Sequence, residues 1–522
     1  FTFSLASVWR GRPVISRLVL VDGTVDLERR ADGLRNWRLR DPEDPSPGRV
    51  TVMTFEPLRA QVRFVNRAID LDFVATAAPA EVRNGDALST RITYQGRYQQ
   101  SAFSGEALSG SVLSFRDSGM SFPLRGRFVS RATRLDFDGF FTDIFDLGPM
   151  DARLRLAGPS LSLVHPFVRA RPPESRPYTF EAQLTQTRKV FHFAQLAGKI
   201  GGTPIAGDVV YDHSAARPVV KAALHSDAAD FDDIRPLLGM RGAARPARSD
   251  TPRSANASDE ADDEKDRGYF PTRAFRLGGF RSFDLRVAAT LKKLAVPGFR
   301  TLDDVRVDAK LTQGVLELKP VELQLAGGRV TGSATFDGRE DAASASISGE
   351  LRGIRIERLV PALGEKAGSA GALDGHVAMS GRGVSIAAIV GSSAGAFAAA
   401  IEQGRISNLT DAKLGLDFGK VVSVFLRGDR EIAINCGAAA FDVRDGVAKS
   451  TKIVLDTEQT HVVGRGTILL RDEELDLLLT PEPKKPGLFT RRASVRIKGP
   501  LRRPAVSVVE RLEQAGAAAG GC

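Results

Sequence analysis

Val321-Glu322-Leu323-Gln324-Leu325, followed by Gly327-Gly328-Arg329-Val330-Thr331-Gly332-Ser333-Ala334-Thr335-Phe336-Asp337-Gly338, reads as two β-strands. Val321, Leu323 and Leu325 fall on one face and Glu322 and Gln324 on the other, while Val330, Ala334 and Phe336 alternate with Thr331, Ser333 and Thr335. A period of two is what a half-buried strand demands, because successive side chains point to opposite sides of the sheet. Asp337-Gly338 then supplies a turn.

The same pattern spreads outward in both directions. Ile69, Leu71 and Phe73 alternate with Asp70, Asp72 and Val74; Ile92 and Tyr94 alternate with Arg91, Thr93 and Gln95. Phe283, Leu285 and Val287 share one face, as do Leu475, Leu477 and Leu479. Turn pairs at Asp22-Gly23, Asn84-Gly85, Asp138-Gly139 and Asp445-Gly446 fall at hairpin spacing. Helical pattern is confined to short stretches, Phe231 to Leu238 and Ser385 to Val390. The expected fold is therefore mainly β: an elongated, curved antiparallel sheet built from repeated strand units, with few short helices.

An internal repeat supports that architecture. Ala182-Gln183-Leu184-Thr185-Gln186 recurs as Ala309-Lys310-Leu311-Thr312-Gln313, and Ile234-Arg235-Pro236-Leu237-Leu238-Gly239 parallels Leu359-Val360-Pro361-Ala362-Leu363-Gly364. Gly207 pairs with Gly332 and Gly239 with Gly364, each 125 residues on. A duplicated multi-strand unit favours an extended sheet over one globule. Residues 241–268 carry no Val, Ile, Leu, Met, Phe, Trp or Tyr and are expected to be a disordered linker or loop between regions 1–240 and 269–510; 511–522 reads as a flexible tail.

Composition narrows the function classes. The net charge of +10 comes from 73 basic and 63 acidic residues, but the basic residues alternate singly with apolar ones, as in Leu285-Arg286-Val287. Nucleic acid prefers clustered charge, so no nucleic-acid partner is expected. The two cysteines, Cys436 and Cys522, exclude a disulfide framework and a CxxC motif. Histidines at 165, 192, 213, 225, 376 and 461 show no ligand spacing, so neither metal nor cofactor is expected. Gly383 to Ile401 is uncharged but interrupted by Gly383, Gly391, Gly395 and serines, a poor membrane span.

Gly391-Ser392-Ser393-Ala394-Gly395 matches the nucleophile elbow of serine hydrolases, with Ser393 as nucleophile and His461 following in the right order after Asp411 or Asp442. An elbow needs a strand before it, a helix after it and an alternating α/β sheet around it. The surrounding sequence supplies none of these, and the pentapeptide reads as a turn between a short helix and a strand beginning near Ala396. No enzyme is expected; a hydrolase using Ser393 is the distant alternative.

Residues Ile15 to Arg29, followed by Asp32-Gly33-Leu34-Arg35-Asn36-Trp37, resemble the AsmA family of bacterial envelope proteins, which carries two strands ending in a D-G-x-x-N-W tag. The resemblance continues through Arg217-Pro218, Asp227, Asp233 and Pro236, through Leu316-Glu317-Leu318-Lys319-Pro320, and through Ile497-Lys498-Gly499-Pro500. It implies AsmA-like β-groove regions in both halves and a place on the periplasmic face of the Gram-negative inner membrane. The anchor would be an N-terminal helix ahead of Phe1, so the chain reads as truncated at its start. The family is similar to chorein-type bridge proteins, whose sheet forms a lipid groove.

The resemblance therefore implies a role in outer-membrane biogenesis through binding or conducting phospholipids between inner and outer membranes, with influence on outer-membrane protein targeting. Phospholipid acyl chains, the two membranes and envelope proteins are the expected partners. The expected groove lining is Ile69, Leu71, Phe73, Ile92, Tyr94, Phe283, Leu285, Val287, Val321, Leu323, Leu325, Leu475, Leu477 and Leu479. The residues themselves agree, since a long sheet with one apolar face must cover it with a second sheet, by closing, or with a ligand. The competing expectation is a structural or chaperone-like periplasmic β-sandwich whose apolar faces bury one another.

Overall fold

The computed structural model describes residues 2–3, 14–36, 51–52, 55–81, 88–110, 121–142, 149–168, 171–238, 270–297, 299–359, 370–406, 432–458, 460–484 and 493–510. Both the expected linker, 241–268, and the expected tail, 511–522, lie outside the described residues, as do Trp37, Gly239 and the repeat positions 360–364. Strand accounts for 68% and helix for 6%, so the mainly β expectation holds. The chain divides into two compact units, Phe1–His225 and Ser226–Cys522.

In the first unit, every strand from Ala60–Asn66 to Val219–Ser226 pairs antiparallel with the next in sequence. Thr24–Arg29 adds a parallel strand beside Ala60–Asn66. Residues of the D-G-x-x-N tag clip this strand: Glu28 N–H donates to Asn36 Oδ1 at 2.9 Å and Asn36 Nδ2 donates to the Asp26 carbonyl at 2.9 Å. The Asn36 amide thus pairs with the strand as a neighbouring peptide group would, satisfying edge groups that otherwise invite another chain. A small separate sheet joins Thr2–Phe3, Val14–Val21, Thr51–Val52 and Phe55–Leu58.

In the second unit, the strands from Asp284–Ala295 to Ala505–Glu510 form another continuous antiparallel meander. The duplication seen in sequence is a duplication of elements. Strands Val190–Ile200 and Thr203–Asp212 recur 125 residues later as Val315–Leu325 and Gly328–Asp337, and the short helix Phe231–Ile234 recurs as Ile356–Leu359. Even the irregularity repeats: the register shifts between Phe193 and Leu196, and again between Leu318 and Val321. Each bulge inserts a residue that would turn the rest of the strand over if the backbone stayed regular. The bulge keeps Leu316 and Leu318 on the same face as Val321, Leu323 and Leu325.

Cross-strand pairing explains the scattered arginines. On the charged face of the first unit Arg127 Nε bonds Asp136 at 2.8 Å and Arg125 Nε bonds Asp138 at 2.9 Å, each pair directly opposite in register, and Arg155 meets Glu181. In the second unit Arg496 Nε bonds Asp476 at 2.7 Å. These pairs are exposed and worth about 0–1 kcal/mol each, so they keep the outer surface solvated and register-matched rather than holding the fold together.

Apolar positions behave differently. Phe64 is 2% exposed, and Leu124, Ala152 and Leu184 are also buried, whereas Phe140 on the charged face is 56% exposed. Gly105 shows how closely the strands approach. Its Cβ, if it had one, would fall 2.1 Å from the Arg127 carbonyl oxygen and 2.5 Å from the Tyr94 ring, which lies across it. Glycine there lets an aromatic side chain lie flat on its neighbour. Burial pushes the Tyr94 hydroxyl up, and it donates to the Arg127 carbonyl at 2.9 Å. Gly105→Ala should therefore cost about 1–3 kcal/mol in chemical denaturation. Gly278→Ala, where nothing lies within 4 Å, should stay within about 0.5 kcal/mol of wild type; equal effects at both positions would contradict the packing described.

One charge cluster is tighter than the rest. Asp456 receives Lys484 Nζ at 2.8 Å, Asn435 Nδ2 at 2.8 Å and a contact from His461 Nδ1 at 3.3 Å. Lys484 first, then Asn435 and His461, lower its carboxyl from 3.8 to about 2. A depressed carboxylate contributes stability that is present above its unfolded pKa and lost as pH falls through the folded value. Lys484→Met should thus lower the urea midpoint at pH 7, with the difference from wild type shrinking from pH 4 downward and vanishing only below pH 2. A difference independent of pH would rule the linkage out.

Candidate functional site

Register brings the apolar faces of successive strands into a continuous surface within each unit. In the first unit Phe64 faces Phe73, Phe73 faces Gly96, Ala75 faces Tyr94, and Tyr94 faces Gly105. The row continues from Gly105 to Phe128 and from Phe128 to Leu135, with Phe137 opposite Gly126 and Leu154. Aromatic contacts run along it: Phe64–Phe73 at 5.5 Å, Phe73–Phe103 at 6.3 Å, Tyr94–Phe103 at 6.4 Å and Phe103–Phe128 at 5.3 Å. Phe73, Tyr94, Phe103, Phe128 and Phe137 are each only half-buried. The charged groups lie on the opposite face, so this track is apolar across several strands.

Of the expected lining residues in this unit, Leu71, Phe73, Ile92 and Tyr94 stand together on that track: Leu71 pairs with Tyr98 and Ile92 with Ala77 and Ala107. Ile69 lies in the turn before the strand Leu71–Pro79, 41% exposed. Its alternation with Leu71 runs across a strand boundary, where Asp70 adopts a positive φ of 53° and breaks the pleat.

In the second unit, Leu285 pairs with Leu311 and Val287 with Ala309, while Phe283 immediately precedes the strand Asp284–Ala295. Val321 pairs with Val307 and Gly332, Leu323 with Val330, and Leu325 with Gly328. Leu475, Leu477 and Leu479 pack against Val495 and Ile497. The same face carries Ile347, opposite Ala334 and Met379, and Phe397 stacked on Phe441 at 5.0 Å.

This face is not uniformly accessible. Leu323 packs into a cluster with Ala229, Val305 and the helix residues Phe231 and Ile234, and Leu325 is 8% exposed. Ile347, by contrast, is 48% exposed although it projects from the apolar face. Ile347 thus leaves a large aliphatic side chain half in water on the face that elsewhere packs its neighbours.

The elbow pentapeptide is a helix-to-strand turn. The helix Ile386–Gly391 precedes it and the strand Ala394–Ile406 follows, the reverse of the order a nucleophile elbow needs. Ser393 is 3% exposed and its hydroxyl donates to the Val390 carbonyl at 2.7 Å, while His461 contacts Asp456. Among the described residues, no group of three or more His, Cys, Asp or Glu could hold a metal ion, and no helix is long and apolar enough to cross a membrane.

Sequence alternation located the strands but not the aromatic row, because Phe64, Phe103, Phe128 and Phe137 become neighbours only through register. Their signal was present in phase: Phe64 falls two residues from Val62, Phe103 four from Ala107, Phe128 four from Leu124 and Phe137 two from Leu135 on their strands.

The comparisons with known proteins agree with this construction. AsmA family protein YhjG of Escherichia coli (strain K12) is 26% identical over 422 residues, 79% of this chain and 61% of that protein. The chain thus spans less than two thirds of that relative's length. The AsmA family model matches residues 178–453, which include the duplicated strands and the helices Phe231–Ile234, Ile356–Leu359 and Ile386–Gly391, and this match over more than half of the 522 residues places the chain in the AsmA family.

Proposed function

We propose that the apolar faces bind phospholipid acyl chains and let them pass along the sheet, as the activity of an envelope protein that supports outer-membrane biogenesis. The observation that carries this reading is the half-exposed apolar track, with its aromatic row in the first unit and Ile347 at 48% exposure in the second. A two-chain phospholipid buries on the order of 30 methylenes at ~0.8 kcal/mol each, so complete transfer into water would cost roughly 24 kcal/mol. An apolar surface continuous from strand to strand removes most of that barrier without any catalytic residue.

Family membership supports placement in the envelope, and influence on outer-membrane protein targeting would follow indirectly from lipid supply. Anchoring at the inner membrane belongs to the same reading. Mass spectrometry of organic extracts from gently purified protein should find stoichiometric phospholipid; its absence would favour the structural β-sandwich.

Two single variants separate an accessible track from sealed packing. Ile347→Asp should leave the melting temperature nearly unchanged, because the carboxylate stays in water, and should sharply reduce bound lipid. Leu325→Asp places an unpaired charge at a position only 8% exposed and should cost roughly 3 kcal/mol or more. If Ile347→Asp unfolds the protein, or if it retains full lipid loading, that position is not on the track.

A further inference from the structure

Between the strands Met150–Gly158 and Tyr178–Thr187 the chain makes a loop closed at its neck by two serines. Leu161 N–H donates to Ser175 Oγ at 2.9 Å and Ser175 N–H donates to Ser160 Oγ at 3.1 Å. Ser175 Oγ in turn donates to the Arg176 carbonyl at 2.8 Å, and Ser160 caps the short 3-10 turn Leu161–Val164. These bonds hold the base of the loop without calling on its tip.

The tip carries Phe167. Its ring meets Phe128 edge-on at 5.1 Å, Phe103 edge-on at 6.5 Å and Tyr98 at 5.6 Å. Phe103 and Phe128 belong to the aromatic row, stacked on one another at 5.3 Å, so Phe167 covers part of the track itself. Its backbone N–H donates within the loop, to the Val164 carbonyl at 2.9 Å, whereas these contacts with the sheet are between rings. We propose that Phe167 occupies an acyl-chain position on the first unit's track, and that phospholipid enters by displacing it while the Ser160–Ser175 neck stays closed. The proposal rests on the lipid-binding reading and adds its regulation.

A comparison inside the same chain separates this contact from a more deeply packed one. The helix Phe231–Ile234 also lies on an apolar face, but it packs on Ala229, Leu294 and Val305, all at most 9% exposed. Phe231, Ile234 and Phe167 are all half-buried and Pro166 beside Phe167 is buried, so the difference lies in the surface beneath: Phe167 rests on half-buried rings. An apolar ring on an apolar track offers the chemistry an acyl chain offers, and the hydrogen bonds that close the neck do not involve Phe167. A plug of this kind lowers apparent affinity by the fraction of time the site is self-occupied.

The test compares wild type, Phe167→Ala and Phe167→Leu after exposure to vesicles of phosphatidylethanolamine and phosphatidylglycerol, with lipid per chain and initial uptake rate read by native mass spectrometry. Phe167→Ala should take up lipid roughly threefold faster or more, with Phe167→Leu in between. A second readout needs no truncation: 4-fluorophenylalanine at 167 in the otherwise unaltered chain should shift its 19F resonance when the vesicles are added. Equal uptake by wild type and a folded Phe167→Ala, or an unmoved 19F resonance while lipid loads, overturns the plug and leaves the lipid reading standing. Loss of uptake in a folded Phe167→Ala makes the ring a wall of the track and also overturns the plug. No uptake by wild type defeats the lipid reading and the plug with it.

Discussion

Side-chain parity is the constraint on which the rest depends. In an antiparallel meander each residue has a face assigned by counting in twos, and a slip of one residue exchanges the apolar face for the charged one. Opposite residues in register share a face, so Phe73, Tyr94 and Phe128 line up only if every intervening strand keeps count. The bulges between Phe193 and Leu196 and between Leu318 and Val321 preserve that count where the sequence adds a residue. Their recurrence 125 residues apart means the duplicated unit was copied with its correction in place.

Parity also accounts for the composition. Fifty-seven arginines in an ordinary soluble domain would suggest an anionic partner, but here Arg125, Arg127 and Arg155 stand across from Asp138, Asp136 and Glu181 on the charged face. Charge is spent on strand-to-strand pairing in water, and the opposite face is left without it. A sheet so divided is stable in solution only where its apolar face is covered, and the covering differs from place to place. The helix Phe231–Ile234 packs over Ala229, Leu294 and Val305, Phe167 roofs part of the aromatic row, and Ile347 keeps 48% of its surface exposed.

Much of this was legible before the structure. Alternation at Leu71 and Phe73, at Val321 to Leu325 and at Leu475 to Leu479 placed those residues on strands and on the apolar face, and the repeat anticipated the copied elements. The reading failed locally at Ile69, because a turn can continue a two-residue pattern by chance and only the positive φ at Asp70 reveals the break. It could not see the aromatic row, whose members are up to 73 residues apart in sequence and meet through register alone. Nor could it see Phe167, which sits in a proline-bearing loop with no periodicity to report which surface it covers. The role of Asn36 was visible as a motif, but its physical content, an amide standing in for a strand neighbour, appears only in the hydrogen bonds.

The central claim is that lipid lies against the apolar face and not the charged one, and period-two geometry makes it testable at adjacent residues. A photo-crosslinking amino acid placed singly at Ser346, Ile347 and Ser348 in the protein inside living cells would sample the two faces of one strand, since Ile347 stands on the apolar face and the two exposed serines on the other. The account predicts phospholipid adducts at 347 and little or none at 346 and 348. Adducts of equal yield at all three positions, or at the serines alone, would contradict it.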